Sequence, residues 1–150
     1  MMENICASND TLHGYYFDEL DLGMSESFGK TITDADITLF AGVSCDTNPL
    51  HLNHEFAKKT IFKSTIAHGI LTASLISTVI GTKLPGPGSI YVSQSLNFRA
   101  PVFSGDTILA HCTITSLVPD RYHATLETEC LVDNTVVLDG QAIVKVPNRS

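Results

Sequence analysis

No apolar run in this chain approaches the ~20 residues that a bilayer-spanning helix needs, so the sequence predicts no membrane segment. Basic charge is also scarce: 9 Lys and Arg stand against 16 Asp and Glu, for a net charge of −7. The densest basic group, Lys58, Lys59 and Lys63, reads as a solvated helix face that can meet at most one anionic phosphate, which argues against nucleic acid as a partner. Cys6, Cys45, Cys112 and Cys130 form no C-x-x-C pair and show no ligand-like spacing with histidine. Neither a zinc site nor a disulfide framework is signalled, and reduced thiols in a cytoplasmic protein follow. Met1 to Asp10 contains no Lys or Arg, so no signal or transit peptide is expected. Repeats and low-complexity tracts are absent too. With 150 residues and a 43% hydrophobic fraction, the chain reads as one domain over residues 1–150 with a single core.

Two periodicities divide the chain. Tyr15 to Leu20 and Ser25 to Ile32 read as short strands or an irregular entry segment. Thr33 has the character of an N-cap, with Asp36 closing an acidic capping box, and predicts a helix over Asp34 to Val43. Asn53 predicts a second, short helix through Glu55, Phe56 and Lys59. Residues 69–80 are apolar on nearly every side, the mark of a buried helix, with Gly81 as its C-terminal signal. Leu84-Pro85-Gly86-Pro87-Gly88 is a loop.

From Ser89 the period changes to two, with Ile90, Val92, Gln94, Leu96 and Phe98 on one face. Alternating runs continue over Thr107 to Leu117, Tyr122 to Val132 and Thr135 to Val146, joined by short turn signals that favour antiparallel neighbours. The predicted class is α+β: a curved antiparallel sheet whose apolar face wraps the central apolar helix.

Chemistry concentrates in Asp46-Thr47-Asn48-Pro49-Leu50-His51. The proline opposes a regular helix here, so the carboxylate and the imidazole converge only if the backbone bends around one small space. Asp46 and His51 can then hold a water and exchange its proton, while Asn48 stiffens the turn. The same hexapeptide also reads as an Asx turn with a surface aspartate and a satisfied histidine. Ala67-His68-Gly69 opens the central helix, whose N-terminal N–H groups and partial positive charge make an oxyanion site that glycine lets a substrate approach. It reads equally as a simple strand-to-helix turn. Asp46, His51 and His54 are metal-ligand types, but a lone H-x-x-H lacks a fuller motif, and no metal is expected. Cys45 has no neighbour in sequence that marks it as an activated thiolate.

The run Phe40-Ala41-Gly42-Val43-Ser44-Cys45-Asp46-Thr47-Asn48-Pro49-Leu50-His51, with Ala57, resembles the hydratase-2 motif of (R)-specific enoyl-CoA hydratases, the MaoC-like branch of the hot-dog fold. The similarity extends through Ile66-Ala67-His68-Gly69, Gly88-Ser89-Ile90-Tyr91 and Gln94-Ser95-Leu96-Asn97-Phe98 to Pro101-Val102 and Gly105-Asp106. It implies a hot-dog domain that reversibly hydrates trans-2-enoyl thioesters to (R)-3-hydroxyacyl thioesters in fatty-acid metabolism. It implies Asp46 and His51 as the catalytic pair and the Gly69 N–H as oxyanion donor. Asn48, His68, Ser77 and Ile80 are then expected on the substrate side, with Ser77 lining the site and Ile80 limiting acyl depth. The bulk of Ile80 predicts a preference for enoyl chains of about C4 to C8.

No cofactor is implied; CoA or acyl carrier protein enters only as part of the acyl-thioester substrate. A homodimer is expected, because one sheet around one helix leaves a strand edge to be covered. Cys45 departs from the glycine that the motif often carries. A hot-dog thioesterase, with water attacking C1, and a non-catalytic acyl-thioester-binding protein are the alternatives.

Overall fold

A computed structural model describes residues 12–149; Met1 to Asp10, and Cys6 with them, lie outside the described residues. After a 3-10 turn at Phe17–Glu19 the elements run β1 (Ser25–Thr31), α1 (Asp34–Ser44), α2 (Pro49–Leu52), α3 (His54–Ala57), α4 (Gly69–Thr82), β2 (Ile90–Gln94), β3 (Asn97–Phe98), β4 (Thr107–Val118), β5 (His123–Val132) and β6 (Thr135–Lys145). The strands form one antiparallel sheet in the order β1-β4-β5-β6-β2, with β3 also on β6. This is the sheet-around-helix architecture of the hot-dog fold, in the α+β class.

Alternation builds the concave face. Ile108, Ala110, Cys112 and Ile114 of β4 are buried, as are Ala124, Leu126, Thr128 and Cys130 of β5, while the residues between them face outward. Helix α4 lays Leu71, Thr72, Leu75, Ile76, Val79 and Ile80 against this face, and Ile76 and Val79 retain no exposure. Burial pushes the thiols of Cys112 and Cys130 up to about 12, so both are inert core residues.

Four local readings are refined. The helix passes through Gly81 and ends at Thr82, because a glycine without positive φ does not by itself stop a helix. Pro49 does not prevent a helix but begins one, at the first helical position where its missing N–H costs nothing, with Asn48 as N-cap. Tyr15 to Leu20 forms the 3-10 turn and no strand. The alternation proposed from Ser89 breaks at a bulge between Tyr91 and Ser93, which swaps the faces. Ile90, Val92 and Phe98 are exposed at 62%, 52% and 56%, and β2 lies at the open edge of the sheet with four of its five residues exposed. Tyr91 instead donates its hydroxyl to Gln94 (2.9 Å), and Gln94 donates to the buried Thr128 (3.0 Å). Among the described residues no helix is long and apolar enough to cross a membrane.

Candidate active site

Helix α1 delivers the chain to Asp46. Thr33 accepts the Asp36 N–H and Asp36 accepts the Thr33 N–H, completing the capping box; the Thr33 N–H and hydroxyl, both donated to the Asp36 carboxylate, and Lys30 hold it below its ordinary range. At the other end Cys45 turns the chain with φ of +61°, the left-handed conformation that glycine takes without strain. The glycine common at this place in the motif thus has a backbone reason. Asp46 follows on the surface, and its Oδ1 accepts the Asn48 N–H at 3.2 Å in an Asx turn.

Asn48 then accepts the Leu50 N–H at 3.0 Å and caps α2, which carries His51. The His51 Nδ1 lies 2.8 Å from the Ile66 carbonyl. A carbonyl only accepts, so Nδ1 carries a proton, and in the neutral ring the lone pair is on Nε2. Ile66 belongs to the segment that leads into α4, and the same segment is tied to Val102 by Ala67.

At the start of α4 no side chain caps the helix, and the Gly69 N–H belongs to its first turn, at the positive end of the dipole. A Cβ at Gly69 would stand 2.5 Å from Cε1 of Phe98, so any larger residue would have to push that ring aside. His51 and Gly69 both line one cavity of about 480 Å³, with Phe62, Thr72, Phe98, Val137 and Leu138 among its apolar walls. Arg99 stands on its rim, held by Asp139 at 2.7 Å; the guanidinium keeps the Asp139 carboxyl below its ordinary range.

The expected residues fall into two groups. Asp46, His51 and His68 come together, with one side-chain ligand atom from each within 4.8 Å of the others. Gly69 follows directly on His68. Ser77 is exposed further along α4, and Ile80 is 2% exposed within the core; neither lines the cavity of the single chain. Asn48 uses its side chain on the backbone of α2, and His68, 2% exposed, lies behind the cavity wall. Neither residue is part of the cavity lining of the single chain.

His51 and His68 meet through their ring faces, with centroids 3.8 Å apart and a 30° tilt, and one nitrogen of each ring is already engaged by a backbone carbonyl. Sequence reasoning missed the Ile66 carbonyl and the walls supplied by Phe62 and Val137. A backbone carbonyl leaves no mark in a sequence, and an apolar wall looks like core.

The MaoC-like domain family matches residues 21–133. The chain is 53% identical to an (R)-specific enoyl-CoA hydratase of Rhodospirillum rubrum, over 95% of this chain and 99% of that protein. It is 48% identical to a 3-hydroxybutyryl-CoA dehydratase of Methylorubrum extorquens, over 89% and 85%. The solved (R)-hydratase of A. caviae involved in PHA biosynthesis superposes with a TM-score of 0.83 at 42% identity, covering 86% of this chain and 98% of that one.

Proposed function

This chain belongs to the MaoC-like dehydratase family, and from that membership we infer an (R)-specific enoyl-CoA hydratase, a hydro-lyase that adds water reversibly to trans-2-enoyl-CoA. The observation that carries the reading is the placing of His51, with a free basic nitrogen, and the uncapped Gly69 N–H on one apolar cavity beside Asp46.

The thioester oxygen sits at the Gly69 N–H, which draws electron density away from C3. Asp46 and His51 hold a water and remove one proton as its oxygen bonds to C3. The enolate charge collects on the thioester oxygen, where the helix terminus stabilises it. C2 then takes a proton from the same pair, so hydrogen and hydroxyl add to one face and the (R)-3-hydroxyacyl thioester forms. The pair ends in its starting protonation state. The step needs no metal or redox group, and CoA acts only as the carrier of the acyl chain.

The enzyme acts as a homodimer in this reading. One sheet edge, β1, carries Glu26 and Lys30 and is crossed by Lys83, whose ammonium donates to the Ser27 carbonyl at 2.6 Å. The other edge, β2, exposes Ile90, Tyr91 and Val92, and near it Phe98 and Ile70 of the cavity mouth are more than half exposed. Charges guard the first edge, whereas the second is open to pairing with another copy. A stable 16.2 kDa monomer in sedimentation at micromolar concentration contradicts this.

Work in fatty-acid metabolism fits the acyl-CoA substrates in the names of the relatives, and a reducing, cytoplasmic setting fits the free thiols of Cys45, Cys112 and Cys130. Crotonyl-CoA tests the activity: conjugated-enoyl absorbance falls with no thiol released. Release of free CoA points to a thioesterase, and absence of any reaction to a binding protein.

A further inference from the structure

The most unusual buried group in the molecule is His68. It is 2% exposed, yet its Nδ1 has no hydrogen-bond partner among the described residues. Its Nε2 lies 2.9 Å from the backbone carbonyl of Asp46, far away in sequence. Because that carbonyl can only accept, Nε2 carries the proton and Nδ1 is a bare acceptor in an apolar place. One ring face stacks on His51 with centroids 3.8 Å apart, and Phe40 packs against the ring at 4.9 Å. A residue kept only to fill this space would be better served by a phenyl ring, which strands no polar atom.

We propose that His68 is the positioning residue of the Asp46–His51 pair: its N–H anchors the backbone of Asp46 while its ring face sets the plane of His51. The proposal rests on the hydratase reading for its kinetic consequence, but not for its geometry. Asp46 lies on an exposed loop whose other restraints are local, namely its own N–H to Ser44 Oγ and the Asn48 N–H to its carboxylate. Those bonds shape the turn without fixing where it stands relative to the cavity. The His68 bond does fix it, because His68 is the residue before Gly69 and moves with α4. His51 is restrained in its ring plane by the Ile66 carbonyl and across its face by His68. One buried ring therefore keys the acid–base pair to the oxyanion donor, so that the water and the thioester carbonyl meet in a single geometry.

Three variants separate the two contacts. His68→Phe keeps a ring and deletes the donor; His68→Gln keeps a donor that reaches the Asp46 carbonyl and deletes the ring; His68→Leu deletes both. Each is measured for kcat and KM on crotonyl-CoA, for Tm, and by NMR of the His51 ring nitrogens. For His68→Phe we expect kcat to fall about 10- to 100-fold with KM within about twofold and Tm not lowered. For His68→Gln we expect kcat at least about tenfold above that of His68→Leu, because the anchor returns at similar side-chain volume.

The Nδ1-protonated signal of His51 should stay sharp in the Phe variant and broaden in the Leu variant. Wild-type kcat in His68→Phe overturns the proposal, as does a KM rise that accounts for the loss, since that marks a substrate contact. If His68→Phe fails to fold, the Gln and Leu pair decides: equal kcat in the two overturns the anchor. A wild-type protein inert toward crotonyl-CoA defeats the hydratase reading alone. The NMR comparison then still tests the geometry, and an unchanged His51 signal in all three variants defeats it.

Discussion

The two halves of the site are held by opposite means. Asp46 stands on the surface, in a turn organised by short side-chain bonds to backbone, and little of the core depends on it. Gly69 begins a helix whose Leu75, Ile76, Val79 and Ile80 are in the core, so the proposed oxyanion donor cannot move unless the fold does. The acid–base half can therefore be removed with little cost in stability, and the electrostatic half cannot. The proposed acid–base pair sits on a loop tied to α4 through one buried ring, whereas the proposed oxyanion donor belongs to α4 itself.

The sharpest way to break this comparison is to cut the loop half. Asp46→Asn keeps the shape and the acceptor for the Asn48 N–H but loses the charge. Hydration of crotonyl-CoA should fall about 10²- to 10⁴-fold while the unfolding free energy stays within ~0.5 kcal/mol of wild type. His51→Ala should lose activity on the same scale. Near-wild-type hydration by either variant means that the pair is not the catalytic one.

The converse cut is Ile76→Ala, far from the chemistry and with 0% exposure. Denaturant unfolding should show a loss of about 2–5 kcal/mol, with kcat per folded molecule retained within about threefold. If kcat collapses while stability holds, the helix does more than support its own N-terminus.

Ile80 sharpens the comparison at the far end of α4. The roles of Ser77 and Ile80 in chain length require the acyl tail to run along α4 beyond the cavity of the single chain. On that proposal Ile80→Ala raises the C12-to-C4 ratio of kcat/KM, with each buried methylene worth up to ~0.8 kcal/mol. An unchanged ratio sends the tail out between Phe62 and Val137 instead.

The smallest expected effect lies back on the loop. Cys45→Gly relieves a left-handed residue at φ +61° and should raise stability by about 0.5–1 kcal/mol with activity unchanged. A loss would mean that the exposed Cys45 side chain makes a contact the strain argument omits.

Much of the fold was readable because its signals are local. Thr33 and Asp36, Asn53, and the alternation of β4, β5 and β6 each carry their own instruction, and the elements appear where those residues put them. What escaped depends on partners distant in the chain. The bulge at Val92 is set by pairing with β6, and the alternation itself does not announce it. At the site Asp46 and His51 do come together, but because Asn48 caps a short helix that Pro49 begins, and not because the proline bars a helix. The use of His68 on the Asp46 backbone, and of the Ile66 carbonyl on His51, arises only when α4 docks. A His-Gly dipeptide looks the same whether its imidazole faces a substrate or a neighbour's backbone.

The central claim is that one pair on one side of the substrate performs both proton movements. Hydration of crotonyl-CoA in D₂O, followed by chiral and NMR analysis of the product, tests it most directly. The account predicts (R)-3-hydroxybutyryl-CoA with one deuterium at C2, on the same face as the new hydroxyl. An (S) product, or deuterium delivered to the opposite face, would contradict it.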